Sequence, residues 1–105
     1  KKETLHIFYS KIADSPERIM HTSINLGENE DKDWVVNKSI EIIRPEKKYE
    51  GADLPMNNSS AGAAHYPENA LRDPYVFFDS GKYYLLYAVA GEQGIAISEF
   101  QNLPK

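Results

Sequence analysis

Residues 71–100, LRDPYVFFDSGKYYLLYAVAGEQGIAISEF, hold the densest run of strand-forming side chains and set the strictest limit on the fold. Two turn signals, Asp79-Ser80-Gly81 and Gly91-Glu92-Gln93-Gly94, divide the stretch into runs at 75–78, 82–89 and 95–98. That pattern predicts a three-stranded antiparallel meander. The second run does not alternate apolar with polar: Tyr83, Leu85, Tyr87 and Val89 line one face, and Tyr84, Leu86 and Ala88 line the other. A half-buried sheet would carry polar residues on one side. Both faces are therefore expected to need cover, as in a blade of a β-propeller or an inner sheet of a stacked β fold.

With 105 residues the chain is one domain or less, large enough for a single core of moderate size. Seven Tyr, four Phe and one Trp supply aromatic bulk for that core. The net charge of -4 and the absence of any basic cluster beyond the Lys1-Lys2 and Lys47-Lys48 doublets argue against nucleic acid or an anionic membrane surface as partner. No cysteine is present, so neither a disulfide framework nor a thiolate nucleophile is available. No run approaches the ~20 apolar residues of a membrane-spanning helix. The chain opens on Lys1 rather than Met, which leaves targeting and compartment open.

In chain order, residues 4–10 (TLHIFYS) read as a strand, 13–16 (ADSP) as a turn and 18–26 (RIMHTSINL) as a second strand, together a hairpin. An acidic loop over 27–33 (GENEDKD) follows. Residues 34–36 (WVV) precede a third strand at 39–44 (SIEIIR), which stops at Pro45. From 45 to 70 the chain carries three Pro and two Gly and shows neither helical nor strand period. Structureless loops longer than ~12–15 residues are uncommon and tend to be functional, so a site is expected there. The organisation is thus a first blade part over 1–45, a long loop over 46–70 and a second blade part over 71–105. A weak internal repeat fits this division. Phe8-Tyr9-Ser10 with Ile12, Asp14 and Ile19 can be laid on Leu86-Tyr87-Ala88 with Ala90, Glu92 and Ile95. A small β-sandwich built from the same strands is the alternative fold.

The runs Leu71-Arg72-Asp73-Pro74-Tyr75-Val76-Phe77 and Gly81-Lys82-Tyr83-Tyr84-Leu85-Leu86-Tyr87 resemble a blade start of the five-bladed β-propeller glycoside hydrolases of the family 43, 32, 68 and 130 type. Ser15-Pro16-Glu17-Arg18-Ile19, Trp34 and Ile42-Ile43-Arg44-Pro45 look like a preceding blade of the same group. The resemblance implies an all-β fold of two incomplete blades and a carbohydrate partner, with glycoside cleavage by two carboxyl groups across the scissile bond as the chemistry. It implies that Asp73, the Asp of the RDP motif, positions substrate and tunes the acid, with Arg72 beside it. Tyr49-Glu50-Gly51 resembles the Glu-Gly step that carries the general acid, although in the family that step follows the RDP blade and here it precedes it. The family's N-terminal Asp base has no counterpart strand here, so a lone copy of the chain is not expected to hydrolyse glycosides by that scheme.

Read from the residues, Pro74 biases Asp73 toward extended backbone and marks a strand start that needs no amide donor. In an extended chain Arg72 would point away from Asp73. The competing reading is that Arg72-Asp73-Pro74 only turns the chain into a strand. In the long loop, Tyr49, Asp53, His65 and Tyr66 are the further candidates for sugar contacts, Tyr49 and Trp34 by stacking on a ring. His6, His21 and His65 lack metal-ligand spacing, and neither a metal nor a cofactor is expected. Three functions remain: a part or truncated homologue of a propeller glycoside hydrolase, a non-catalytic carbohydrate-binding module, and a structural assembly domain. The strand edges of part-blades invite pairing, so a homo-oligomer, or completion by the remainder of a larger propeller, is expected.

Overall fold

The β-branched and aromatic runs pair into two antiparallel sheets, seen in a computed structural model that describes residues 3–27 and 34–104. β1 (Glu3–Tyr9) and β2 (Ile19–Leu26) form a hairpin in register from Glu3 opposite Leu26 to Tyr9 opposite Met20. The other edge of β2 takes two short strands in succession. β3 (Val35–Val36) lies beside Ile24 and Asn25, and β4 (Ile40–Ile43) beside Ile19, Met20 and His21. The second sheet is the meander that the 71–100 stretch predicts: β5 (Arg72–Asp79), β6 (Lys82–Val89) and β7 (Gly94–Phe100), in that order. Ser80 and Gly81 close the β5–β6 hairpin with φ of 51° and 80°, as a two-residue turn matched to strand twist requires. Over 46–70 the chain contains a single 3₁₀ turn, Lys48–Glu50, and no strand. The acidic loop expected over 27–33 lies, from residue 28 on, outside the described residues.

The sheets meet on their inner faces. Ile19, Leu71, Leu85, Tyr87 and Val89 are buried there, with Phe8, Ile42, Ile43, Val76, Ala96 and Phe100 packed against them. Register then dictates what points outward. Tyr75 and Ile97 both stand opposite Leu86, Phe77 stands opposite Tyr84, and Ile95 stands opposite Ala88. These side chains share the outer face of the second sheet, and that face is open: Tyr75 is 66% exposed, Phe77 45%, Ile95 78% and Ile97 62%. The outer face of the first sheet is also apolar, with Leu5 and Val36 exposed on either side of Ile24. Among the described residues, each sheet therefore has one covered face and one uncovered apolar face. The expectation that both faces need cover is met on the inner side only.

One polar pair is built into the inner face of the first sheet. His21 on β2 is 1% exposed, and its Nε2 lies 3.0 Å from Nδ1 of His6 on β1, with the Phe8 ring against it. One imidazole donates and the other accepts, so the pair has no room for two protons on the shared edge. Burial, and then the neighbouring His6, push the His21 pKa below its ordinary value of 6.5.

Three outcomes follow. Leu85→Ala, which empties part of the shared core, is expected to cost about 2–5 kcal/mol. Ile95→Ala on the open face should change stability by no more than about 0.5 kcal/mol, both read by urea denaturation of dilute chain. Because His21 binds its proton less readily folded than unfolded, its contribution is whole above pH 6.5 and is lost as pH falls below that toward the lowered folded value. The melting temperature should accordingly drop between pH 7.5 and pH 5.5, and His21→Asn should flatten that drop.

Candidate functional site

Residues 45–70 show no secondary-structure period, so their backbone must find hydrogen bonds outside regular structure. It finds them at the turns of both sheets. The Ser59 N–H donates to the Asp14 carbonyl (3.1 Å) and the Leu71 N–H to the Glu17 carbonyl (2.8 Å), both in the β1–β2 connection. At the β6–β7 turn, the Glu68 N–H donates to the Ala90 carbonyl (3.1 Å), the Ala90 N–H to the Glu50 carbonyl (3.1 Å) and the Gly91 N–H to the Ala70 carbonyl (3.0 Å). The loop is thus a strap across one end of the two sheets. It gathers the β1–β2 connection, its own segment near Gly62 and the β6–β7 turn around the first residue of β5, Arg72.

Arg72 is 6% exposed and its guanidinium is the electrostatic centre of that end. Nη2 donates to Glu17 Oε1 at 2.8 Å, and Nη1 donates to Glu92 Oε2 and to the Gly62 carbonyl, both at 3.1 Å. Glu68 Oε1 stands 3.9 Å away. Glu17, itself 4% exposed, receives a second hydrogen bond at Oε2 from the Ser10 hydroxyl (2.6 Å). Burial works against the Arg72 charge, but the Glu17 carboxylate and the hydrogen bonds to Glu92 and Glu17 outweigh it and raise its pKa above the ordinary arginine value.

Asp73 departs from the extended backbone expected of a residue before proline. Its φ is 54°, in the left-handed region. The cause is a break in the ladder: Arg72 pairs with Ala88 but Tyr75 with Leu86, so three residues of β5 advance against two of β6. Such a bulge twists the strand and re-aims a side chain, and Asp is among the residues that tolerate that conformation. The carboxylate is exposed, and among the described residues it has no hydrogen-bond or ion-pair partner. Asp73 and Arg72 line one cleft of about 270 Å³ together with Ser10, Ile12, Glu17, Ser60, Ala61, Gly62 and Glu92.

Glu50 is placed differently. Its carboxylate, 3% exposed, accepts the backbone N–H groups of Glu46 (2.9 Å) and Lys47 (3.0 Å) through Oε1 and the Tyr87 hydroxyl (3.1 Å) through Oε2. Burial, and then the Glu50 contact, push the Tyr87 phenol well above its ordinary pKa. The following residue must be glycine: Gly51 has φ of 92°, and a Cβ there would overlap the Glu68 carbonyl oxygen. Glu50-Gly51 therefore anchors the strap onto β6, and neither residue lines the Asp73 cleft. Tyr49, Asp53, His65 and Tyr66 are exposed on the strap and also lie outside the lining of that cleft, and Trp34 is exposed beside β3. Of the eight residues singled out from sequence, the cleft brings together Asp73 and Arg72.

Glu17 and Glu92 complete the site without a signal of their own in the sequence. Glu17 lies in the Ser15-Pro16-Glu17-Arg18 run and Glu92 in the Gly91-Glu92-Gln93-Gly94 turn, but only the fold carries them to Arg72. Among the described residues no group of three or more His, Cys, Asp or Glu side chains is arranged to hold a metal ion.

No family model matches the chain, and no solved structure matches it significantly. The chain is similar to an uncharacterized protein of Acanthamoeba polyphaga mimivirus, with 47% identity over 96 residues that cover 88% of this chain and 26% of the viral protein. The chain thus spans about a quarter of the length of that relative.

Removing the guanidinium would leave Glu17 buried without its counter-charge. Arg72→Met is therefore expected to cost about 3–5 kcal/mol in urea denaturation, the loss typical of a broken buried ion pair.

Proposed function

We propose that the chain is a propeller-type carbohydrate-binding unit whose cleft at Asp73 receives sugar hydroxyls. The observation that carries this reading is Asp73 itself. Its backbone is held in a sparsely populated conformation, its carboxylate is open to the cleft, and the neighbouring guanidinium is already met by Glu17 and Glu92. Strain of this kind tends to collect at functional positions. An unpaired carboxylate can accept two hydroxyl donors at once, and Ser60 adds a hydroxyl to the same cleft. The resemblance of 71–87 to the propeller glycoside hydrolases supports sugar as the class of ligand. Binding is favoured over hydrolysis because cleavage needs two carboxyl groups across one bond, and Glu50 is engaged by the Glu46 and Lys47 amides outside the cleft. Glu92 shares the cleft with Asp73, but its carboxylate is held by the Arg72 guanidinium at 3.1 Å.

In this reading the two sheets are incomplete blades stacked inner face to inner face. Their outer faces are covered by further sheets of the same kind, from a second copy or from additional chain. The open apolar side chains of β5 and β7 support this, since contiguous exposed apolar surface marks an interaction site. The viral relative, about three-quarters of which lies beyond the matched quarter, is long enough for such sheets.

Two measurements test the reading. Asp73→Asn keeps the shape and tolerates the same backbone, yet removes the charge. It is expected to weaken saccharide binding about tenfold in calorimetric titration while leaving the melting temperature within a few degrees. Unchanged affinity would remove Asp73 from the site. Light scattering is expected to give a mass above the 11.9 kDa of one chain, and a monomer resistant to concentration would contradict the covering of the outer faces by a second copy.

A further inference from the structure

A second cleft opens in the strap beside the first. It has a volume of about 210 Å³ and is walled by Leu54, Pro55 and Pro67, with Asn57, Asn58, Ser60, Glu68 and Asn69 supplying polar groups. Ser60 lines both clefts, and Glu68 in the second stands 3.9 Å from the Arg72 guanidinium in the first. Each cleft alone falls below the roughly 300–1,000 Å³ of ordinary ligand pockets, and the two together fall within that range. The division into two lobes follows from the strap crossing between them at Ser60.

The polar groups of the second lobe are biased toward accepting. Asn69 is 7% exposed, and its Nδ2 donates to the Leu54 carbonyl at 3.0 Å. Its Oδ1 is buried and has no hydrogen-bond partner among the described residues. A buried acceptor without a donor costs stability, so native proteins rarely leave one empty. Asn58 likewise commits Nδ2, to the Ala13 carbonyl at 2.8 Å, and so turns an accepting oxygen to its other side. Glu68 adds a carboxylate whose charge is partly offset by Arg72. Acceptors with little uncompensated charge, set against proline and leucine walls, suit neutral hydroxyl donors on an apolar ring face better than they suit a cation.

We infer that this cleft is a second saccharide lobe, continuous with the Asp73 cleft, so that the unit binds two linked sugar residues rather than one. The inference rests on the proposed sugar-binding reading of the first cleft. The second ring donates a hydroxyl to Asn69 Oδ1 and lies against Pro55 and Pro67.

The test is a titration of the ¹⁵N-labelled full chain with glucose, mannose, galactose, arabinose and xylose, and with their α- and β-linked disaccharides. Resonances are followed separately at the two lobes, including the Asn57 and Asn69 side-chain amides. The expected result is that one disaccharide binds at least tenfold more tightly than its monosaccharide and shifts the Asn69 amide together with the backbone around Asp73. Asn69→Leu should lower the disaccharide affinity roughly three- to tenfold, as loss of one hydrogen bond would. Asn57→Ala, at an exposed residue that makes no hydrogen bond among the described residues, keeps the test alive if the Asn69 variant is unstable, and should lower the same affinity. Disaccharides that bind no better than monosaccharides, with shifts confined to the Asp73 lobe, would overturn the second lobe and leave the first reading standing. An absence of shifts with every sugar would overturn both.

Discussion

The buried guanidinium of Arg72 is where the three segments of this chain are tied together. It reaches Glu17 from the first sheet's hairpin connection, Gly62 from the strap and Glu92 from the β6–β7 turn. An ion pair taken out of water gains little on balance against an apolar core, but losing one partner is costly. Its value here is geometric. The planar Arg72 fork donates in fixed directions from its two ends, so it holds the connection and the turn at set positions on either side of the start of β5. The neutralisation is also selective. The two ends of the Arg72 fork are taken by Glu17 and Glu92, which leaves the next residue, Asp73, facing the cleft without a cation partner among the described residues.

A second constraint comes from the unequal faces of the sheets. Leu85, Tyr87 and Val89 on β6 bury one side against the first sheet, while Tyr75, Phe77, Ile95 and Ile97 carry an equally apolar side outward. A sheet of this composition gains from being stacked on both sides, and the hydrophobic driving force of roughly 25 cal/mol per Å² of apolar surface acts on whichever sheet arrives. The inner stack and the outer faces thus pose the same packing problem, solved once within the chain and open at its two sides. The strap lies across one end of the stack, where it leaves the outer faces clear and builds the clefts.

Much of the fold was legible because strands write themselves in local pattern. The runs at 82–89 and 75–78 coincide with β6 and lie within β5, and the hairpin of β1 and β2 follows the alternation of Ile19, His21 and Ser23 against Met20, Thr22 and Ile24. The strap was legible only as an unpatterned stretch between strands. Its role depends on contacts such as the Ala13 N–H to the Ser59 hydroxyl, 46 residues apart, which leave no period in the sequence. Asp73 shows the same limit at close range. The residue before proline is normally extended, yet the bulge between Arg72 and Tyr75 turns it to positive φ, and a bulge is set by pairing across strands. Glu50 stood out by its Glu-Gly step. The fold gives that step a physical reason of its own, since Gly51 admits the Glu68 carbonyl and Glu50 caps the 3₁₀ turn.

The dependence of the site on Arg72 is most directly tested by a double-mutant cycle between Arg72 and Glu17, using Arg72→Met, Glu17→Gln and the two together, with stability measured by urea denaturation. The account predicts strong coupling, on the order of 1–3 kcal/mol, with the double variant more stable than the sum of the single losses implies. Additivity within about 0.5 kcal/mol would mean that the two side chains do not act as one unit, and would contradict the placing of this ion pair at the centre of the fold and its cleft.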